Sequence, residues 1–258
     1  MNIIGIIPAR MASTRFTGKP LVKICGIPMV GHVYLRSKLS KVLNDVYLAT
    51  CDREIADYTL SIGGKPIMTA DTHERASDRA AEAMLKIENE TGKKIDIVVM
   101  IQGDEPMLYP EMINEALKPV LEDSAVQVTN LMSVLKSRQE QDDPNTVKVV
   151  VDLSGYALYF SREPIPSRKK VKKDIENIYK QVPIIPFRRD FLIKFNQLKQ
   201  SPLEIIESVD MLRVLEHGYK VKMILTRIES YSVDTIDDLE RVSGLMKTDA
   251  LFQGYEKT

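Results

Sequence analysis

Ile97-Val98-Val99-Met100-Ile101-Gln102-Gly103-Asp104-Glu105-Pro106 is the stretch whose reading decides the fold. An unbroken apolar run of this length, without polar alternation, reads as a strand buried on both faces, the kind found inside parallel sheets. Gly103 and Pro106 punctuate its end, so Asp104 stands at the carboxyl end of a buried strand, well placed to hold a metal. Outward from it, similar runs at Ile3 to Ile7 and Val46 to Ala49 alternate with helix-like segments near Pro28 to Lys38, Arg53 to Ile62 and Arg75 to Asn89. That alternation predicts a parallel sheet covered on both faces. Pro28 suits a first helical turn and Gly63-Gly64 a helix end. The first part of the chain therefore reads as a nucleotide-binding half.

Beyond Pro110 the strand candidates Val126 to Met132, Val147 to Val151 and Tyr156 to Phe160 lie closer together, which predicts a partly antiparallel region. Helical patterns return at Leu203 to Glu216 and Ile236 to Lys247, with strand-like Lys220 to Leu225 between them. The expected fold class is α/β, a mixed and largely parallel sheet with helices on both faces plus a smaller antiparallel subdomain. Residues 1–258 read as a single domain with that subdomain embedded at about 126–190. The basic stretch Ser167-Arg168-Lys169-Lys170-Val171-Lys172-Lys173-Asp174 has no apolar periodicity and reads as a solvated loop, with a phosphate- or partner-binding arm as the alternative.

The chain has 258 residues, enough to bury a substantial core without disulfides or structural metal. Its 36 basic and 36 acidic side chains cancel, so nothing in the overall charge points to nucleic acid or an anionic membrane. Only Cys25 and Cys51 occur, which excludes a disulfide framework and fits a reducing cytoplasm. The N-terminal apolar run soon meets Arg10, unlike a signal peptide, and no stretch is long enough to span a membrane. His32, His73 and His217 are too scattered to form a ligand motif and read as structural or surface residues.

The first strand runs into Pro8-Ala9-Arg10-Met11-Ala12-Ser13-Thr14-Arg15-Phe16-Thr17-Gly18-Lys19-Pro20-Leu21, a loop whose cations and backbone N–H groups suit phosphates. Ser13 in place of the first glycine and Pro20 after Lys19 exclude a Walker A loop. Nor does a glycine-rich dinucleotide fingerprint follow the first strand. Near the other end, Asp234 follows Ser232-Val233 and precedes a helix-like segment. Either aspartate alone reads more simply as a helix cap or turn residue. Together with the cationic loop, Asp104 and Asp234 suggest a clamp on the Mg²⁺ of a nucleoside triphosphate.

These residues resemble the 3-deoxy-manno-octulosonate cytidylyltransferases, also called CMP-Kdo synthetases. The resemblance rests on the N-terminal loop, Ala49-Thr50, Gln102 to Pro106, Ala157-Leu158-Tyr159-Phe160-Ser161-Arg162, Ser201-Pro202-Leu203-Glu204 and Val233-Asp234-Thr235, which span nearly the whole chain in one order. It implies a nucleotidyltransferase-type fold, CTP and an acidic sugar as substrates, dependence on Mg²⁺ and a homodimer. It further implies that Arg10, Arg15 and Lys19 hold the triphosphate and that Asp104 and Asp234 hold the metal. Arg79, Gln102, Arg162, Gln181, Glu204, Glu207 and Asp210 are the implied substrate-binding residues. In-line positioning and charge neutralisation carry such a transfer without a covalent enzyme intermediate.

The chain departs from the family pattern at three places. His73-Glu74-Arg75-Ala76-Ser77-Asp78-Arg79 stands where the family usually has His-x-Ser-Gly-Thr, an acidic residue and Arg. Arg75 reads as an exposed helix-start residue, with contact to an anionic acceptor as the alternative. At Lys180-Gln181-Val182-Pro183-Ile184-Ile185-Pro186-Phe187-Arg188, Gln181 replaces a histidine and Ile185 a tyrosine near the sugar-acid pocket. Altered polar groups there can alter the acceptor. The expected acceptor is therefore Kdo or its 8-amino analogue, with a more distant acid such as a sialic acid or a phosphonate, or a non-catalytic nucleotide-binding homologue, as alternatives. Cys51 stands where the family continues Ala-Thr with an aspartate and reads as a small buried residue, leaving Asp52 as the nearest carboxylate.

Overall fold

The computed structural model of the chain describes residues 1–12, 16, 18–167 and 178–256. Arg15 and the basic stretch from Arg168 to Asp174 lie outside the described residues. The chain folds as two compact units, Met1–Asn114 with Ser230–Thr258, and Glu115–Glu229. The second unit thus takes in more of the sequence than the 126–190 segment, because the helices and strand after residue 188 fold with it.

The first unit begins with β1 (Ile3–Pro8), the short hairpin β2 (Lys23–Ile24) and β3 (Ile27–Pro28), and α1 (Met29–Lys38). There follow β4 (Asp45–Thr50), α2 (Arg53–Ser61), β5 (Pro66–Met68), α3 (Ala76–Thr91) and β6 (Ile97–Ile101). Within this unit the strands lie in the order β6-β1-β4-β5, each pair parallel. Every residue of β1 and β6 is buried, as the unbroken apolar runs require. From β1 the chain moves outward to β4 and β5, then crosses back to place β6 on the other side of β1. Loops after β1 and β6 therefore emerge side by side at the carboxyl edge of the sheet, where the direction of winding switches. Such an edge is the usual ligand crevice of open α/β sheets.

The chain passes into the second unit within α4 (Pro110–Glu122). That unit contains β7 (Thr129–Val134), α5 (Arg138–Asp142), β8 (Lys148–Val151), β9 (Ala157–Ser161), β10 (Tyr179–Val182) and β11 (Ile184–Arg188). Its remaining elements are α6 (Arg189–Gln197), α7 (Pro202–Glu207), α8 (Met211–Glu216) and β12 (Lys222–Leu225). The sheet runs β12-β7-β10-β8-β9, antiparallel except for β12 against β7. The single helix expected over Leu203 to Glu216 is in fact two. Ser208, at φ 53, takes a left-handed conformation that ends α7, and such a conformation at a non-glycine residue carries no strong sequence signal.

After the second unit the chain returns to the first as α9 (Ile236–Met246) and α10 (Ala250–Tyr255). Val233, Val242, Met246, Phe252 and Tyr255 pack with Ile24, Met29 and Met107 in one buried cluster. Fully buried Arg36 on α1 reinforces it, donating to Asp249 at 2.8 Å and to the Tyr255 hydroxyl at 2.7 Å. Among the described residues no helix is long and apolar enough to cross a membrane.

Candidate active site

The loop after β1 turns at Gly18, whose φ of 73 suits glycine, and a 3₁₀ turn over Lys19–Leu21 then presents Lys19. The loop after β6 passes close to the end of β1, for a Cβ on Gly103 would meet the Pro8 carbonyl oxygen at 3.3 Å. Just beyond, the Val233 N–H donates to the Asp104 carbonyl oxygen at 3.0 Å. That backbone bond, with buried Val233 as anchor, brings the C-terminal segment to the edge of the sheet. A reciprocal cap fixes the start of α9: Thr235 N–H donates to Asp238 Oδ2 at 3.1 Å and Asp238 N–H to Thr235 Oγ1 at 3.2 Å.

The outcome is a compact charged cluster. Lys19 Nζ donates to Asp104 Oδ2 at 2.9 Å and to Asp234 Oδ1 at 3.0 Å. The three side chains are 12%, 32% and 15% exposed, respectively, so Asp104 is the one most open to solvent. Burial opposes the charge on Lys19, but the two carboxylates outweigh it and hold the ammonium above the ordinary lysine pKa.

Lys19 and Asp104 line a cleft of about 300 Å³, walled also by Arg10, His73, Glu74, Arg75, Arg79 and Gln102. That volume lies at the lower end of the range for small-molecule sites. Exposed Arg10 donates to the His73 carbonyl oxygen at 3.2 Å, and His73 Nε2 pairs with Glu82. Burial works against the charge on Glu82, yet hydrogen bonds from Lys86, the Ala70 N–H and His73 bring its pKa down to about 2. Arg79, only 2% exposed, bonds through Nη1 to the Thr69 hydroxyl and the Ala70 carbonyl oxygen, while its buried Nη2 has no protein partner. Arg75 is half-buried in the cleft wall at the start of α3, a correction to its reading as an exposed residue: the chain enters α3 through the cleft, not on its outer surface.

Other expected residues belong to the second unit. Glu207 accepts from the Ser161 hydroxyl at 2.8 Å, the Tyr159 hydroxyl at 3.1 Å and the Arg162 N–H at 2.7 Å. Burial disfavours its charge, but these bonds and the Arg162 charge keep its pKa below the usual glutamate value. The Arg162 guanidinium reaches the Glu207 carbonyl oxygen at 2.7 Å and that of Pro144 at 2.8 Å. Gln181, half-buried, donates through Nε2 to Asn130 Oδ1 at 2.5 Å. Asp210 is half-buried at the start of α8.

Glu204 has a different role from the substrate contact expected of it. It is fully buried, and both its oxygens are held by Arg213, at 2.7 Å and 2.6 Å, so its carboxylate ties α7 to α8. Arg10, Lys19, Arg79, Gln102, Asp104 and, through Lys19, Asp234 are thus gathered at one edge of the first unit, and Arg162 with Glu207 in the second.

Sequence reasoning missed three supports. Asp52 takes the Met11 N–H at 2.7 Å and so holds the loop after β1, while Cys51 beside it is half-buried rather than buried. His73 is part of the cleft wall, and Glu82 behind it is hidden mid-helix. His32 and His217 are structural, bonding to backbone carbonyls of Ile24 and Lys199.

Comparison with known proteins agrees with this geometry. The sequence profile of the Cytidylyltransferase family matches residues 4–225. A 3-deoxy-manno-octulosonate cytidylyltransferase from Geotalea uraniireducens (strain Rf4) is 43% identical over 96% of this chain and the whole of its own length. One from Geobacter metallireducens (strain ATCC 53774 / DSM 7210 / GS-15) is 42% identical over 94% of this chain and 96% of its own. The solved structure of CMP:2-keto-3-deoxy-manno-octonic acid synthetase complexed with CTP superposes with a TM-score of 0.86 at 37% identity, over 96% of this chain and 99% of that one. The loop, the strand-end carboxylate and the near-complete overlap with these proteins place the chain in the 3-deoxy-manno-octulosonate cytidylyltransferase family.

Proposed function

We propose that this protein transfers CMP from CTP to the anomeric hydroxyl of Kdo and releases pyrophosphate. The new bond joins the sugar oxygen to the α-phosphorus, and the bond broken joins that phosphorus to the oxygen bridging to the β-phosphate. The observation that carries the reading is the meeting of Lys19, Asp104 and Asp234 beside a cation-lined cleft, in a chain of this family.

The residues fit a bound Mg²⁺. Asp104 and Asp234 are hard oxygen donors turned toward a single cationic centre, the Lys19 ammonium. Among the described residues no group of three or more His, Cys, Asp or Glu side chains could hold a metal. Mg²⁺ suits such a site because it takes one or two carboxylates and fills its shell with water and phosphate oxygens. When bound it would neutralise charge on the phosphates. Arg10, Arg79 and Lys19 contribute fixed positive charge to the same cleft. In the second unit Arg162, Gln181 and Glu207 offer the donors and acceptor that would recognise the acidic sugar and its hydroxyls.

Pyrophosphate release from CTP and Mg²⁺, measured with Kdo, its 8-amino analogue and sialic acids in parallel, tests the reading. Release with Kdo is the expected result, and silence with Kdo alongside turnover of another acid would overturn it. Asp104→Asn and Asp234→Asn should each abolish turnover while leaving the fold intact. The reading also carries a cytoplasmic homodimer. Two cysteines without a disulfide fit that compartment, and sedimentation equilibrium measures the assembly.

A further inference from the structure

Lys148 in β8 is fully buried, an unusual place for an ammonium. Its Nζ donates to three backbone carbonyl oxygens, those of Asp143 at 3.0 Å, Thr146 at 2.7 Å and Arg162. All three ammonium donors are thereby used. Two of these carbonyls belong to the loop before β8 and the third to the residue that follows β9. Lys148 is thus a rivet between two segments that are not adjacent in sequence.

Both segments converge on Arg162. The Arg162 N–H donates to Glu207 Oε2 at 2.7 Å, its Nε to the Glu207 carbonyl oxygen at 2.7 Å, and its Nη1 to the Pro144 carbonyl oxygen at 2.8 Å. Pro144 lies between the two loop residues that Lys148 holds. Lys148 therefore fixes the main chain of Arg162 and also the loop on which its guanidinium docks. Glu207 is further ordered by Tyr159 and Ser161.

We propose that Lys148 is a positioning residue for the sugar-acid-binding wall formed by Tyr159, Arg162 and Glu207, acting on it from behind through backbone carbonyls. This rests on reading that wall as the acceptor site of a CTP-dependent transferase. Burial lowers the Lys148 pKa from the ordinary lysine value of 10.5. The charges acting on it are Asp143, Glu163 and Glu207, which favour its proton, and Arg162, which opposes it. Loss of that proton removes a donor and loosens the carbonyls it held.

The experiment is steady-state kinetics of the full chain with Kdo and CTP varied separately. Lys148→Met should raise the KM for Kdo about tenfold, part of the ~10²-fold that a full ~1 Å misplacement can cost, and leave the KM for CTP within about twofold. In an Arg162→Ala background the same change should add nothing, since the group it positions is gone. Parallel rises in both KM values, or effects that multiply in the double variant, would overturn the assignment. Should Lys148→Met fail to fold, the wild-type protein supplies the second measurement. Its KM for Kdo should rise relative to that for CTP on the approach to pH 10.5 from below, and a flat ratio would sink the idea. No pyrophosphate release with Kdo by the wild-type protein at any pH overturns the functional reading, and the inference with it.

Discussion

Lys19 Nζ lies 3.0 Å from Asp234 Oδ1 although 215 residues of sequence separate them, and the same ammonium reaches Asp104 at 2.9 Å. In this arrangement Lys19 is the counter-charge to both carboxylates and competes with any metal cation they would hold. Lys19→Met should therefore have opposite effects on two quantities. Binding of Mn²⁺ without nucleotide, read by electron paramagnetic resonance, should tighten, because two carboxylates are released. Turnover should fall by about 10²-fold or more, because a positive charge of the proposed triphosphate site is lost. Unchanged metal affinity in the variant would refute the competition.

Glu204 and Arg213 make the second test, one that separates structure from chemistry. Removing one partner of a fully buried ion pair leaves an uncompensated charge. Glu204→Gln should cost about 3 kcal/mol in denaturant unfolding. The folded fraction should keep its KM for the sugar acid. A variant of wild-type stability that fails to bind the acid would restore Glu204 to the substrate site.

Much of the first unit was legible because its strands are unbroken apolar runs: Ile97 to Ile101 forms β6 with the bounds expected, and Asp104 follows at the strand end. The helices expected to start near Pro28, Arg53 and Arg75 also form, beginning at Met29, Arg53 and Ala76. The pairing of Asp104 with Asp234 was expected from the cationic loop and the two strand-end positions, but the main-chain bond from Val233 that brings it about was not legible, since backbone atoms leave no mark in residue types. The structural role of Glu204 did carry a signal. Ser201-Pro202-Leu203-Glu204 is the capping-box pattern, and Glu204 does accept the Ser201 N–H at 3.3 Å. Arg75 escaped because helical periodicity gives a face but not what the first turn looks onto.

Arg75 lines the same cleft as Arg10, Lys19 and Arg79, at the position where the family resemblance implies a serine. A guanidinium there adds a planar donor suited to phosphate or base oxygens. Arg75→Ser should raise the KM for CTP by about three- to tenfold, the scale of one charge-assisted hydrogen bond, and weaken its salt dependence. The KM for Kdo should stay constant. Kinetics at low and high salt, either side of the physiological ~0.15 M, distinguish the outcomes. Identical CTP saturation in both proteins would place Arg75 outside the nucleotide site.

His32 sets a pH limit on the first unit. Its Nε2 donates to the Ile24 carbonyl oxygen at 2.8 Å, since a carbonyl only accepts, so in the neutral ring Nδ1 accepts the Tyr255 hydroxyl at 2.9 Å. That hydroxyl in turn accepts from Arg36 Nε at 2.7 Å. A proton on Nδ1 would break this relay and put a second charge beside Arg36. Burial above all, with the Arg36 charge, lowers the His32 pKa to about 4, against the backbone bonds that favour its proton. The unfolded chain therefore takes up this proton first as pH falls below 6.5, and stability drains away until the folded state titrates near 4. Over that window the loss from this one group amounts to about 3 kcal/mol. Urea unfolding of the wild type and of His32→Gln, followed from neutral pH down toward the folded-state pKa, isolates it, because all other groups are shared. The wild-type advantage should shrink steadily below pH 6.5. Parallel pH profiles would show that His32 is not the group responsible.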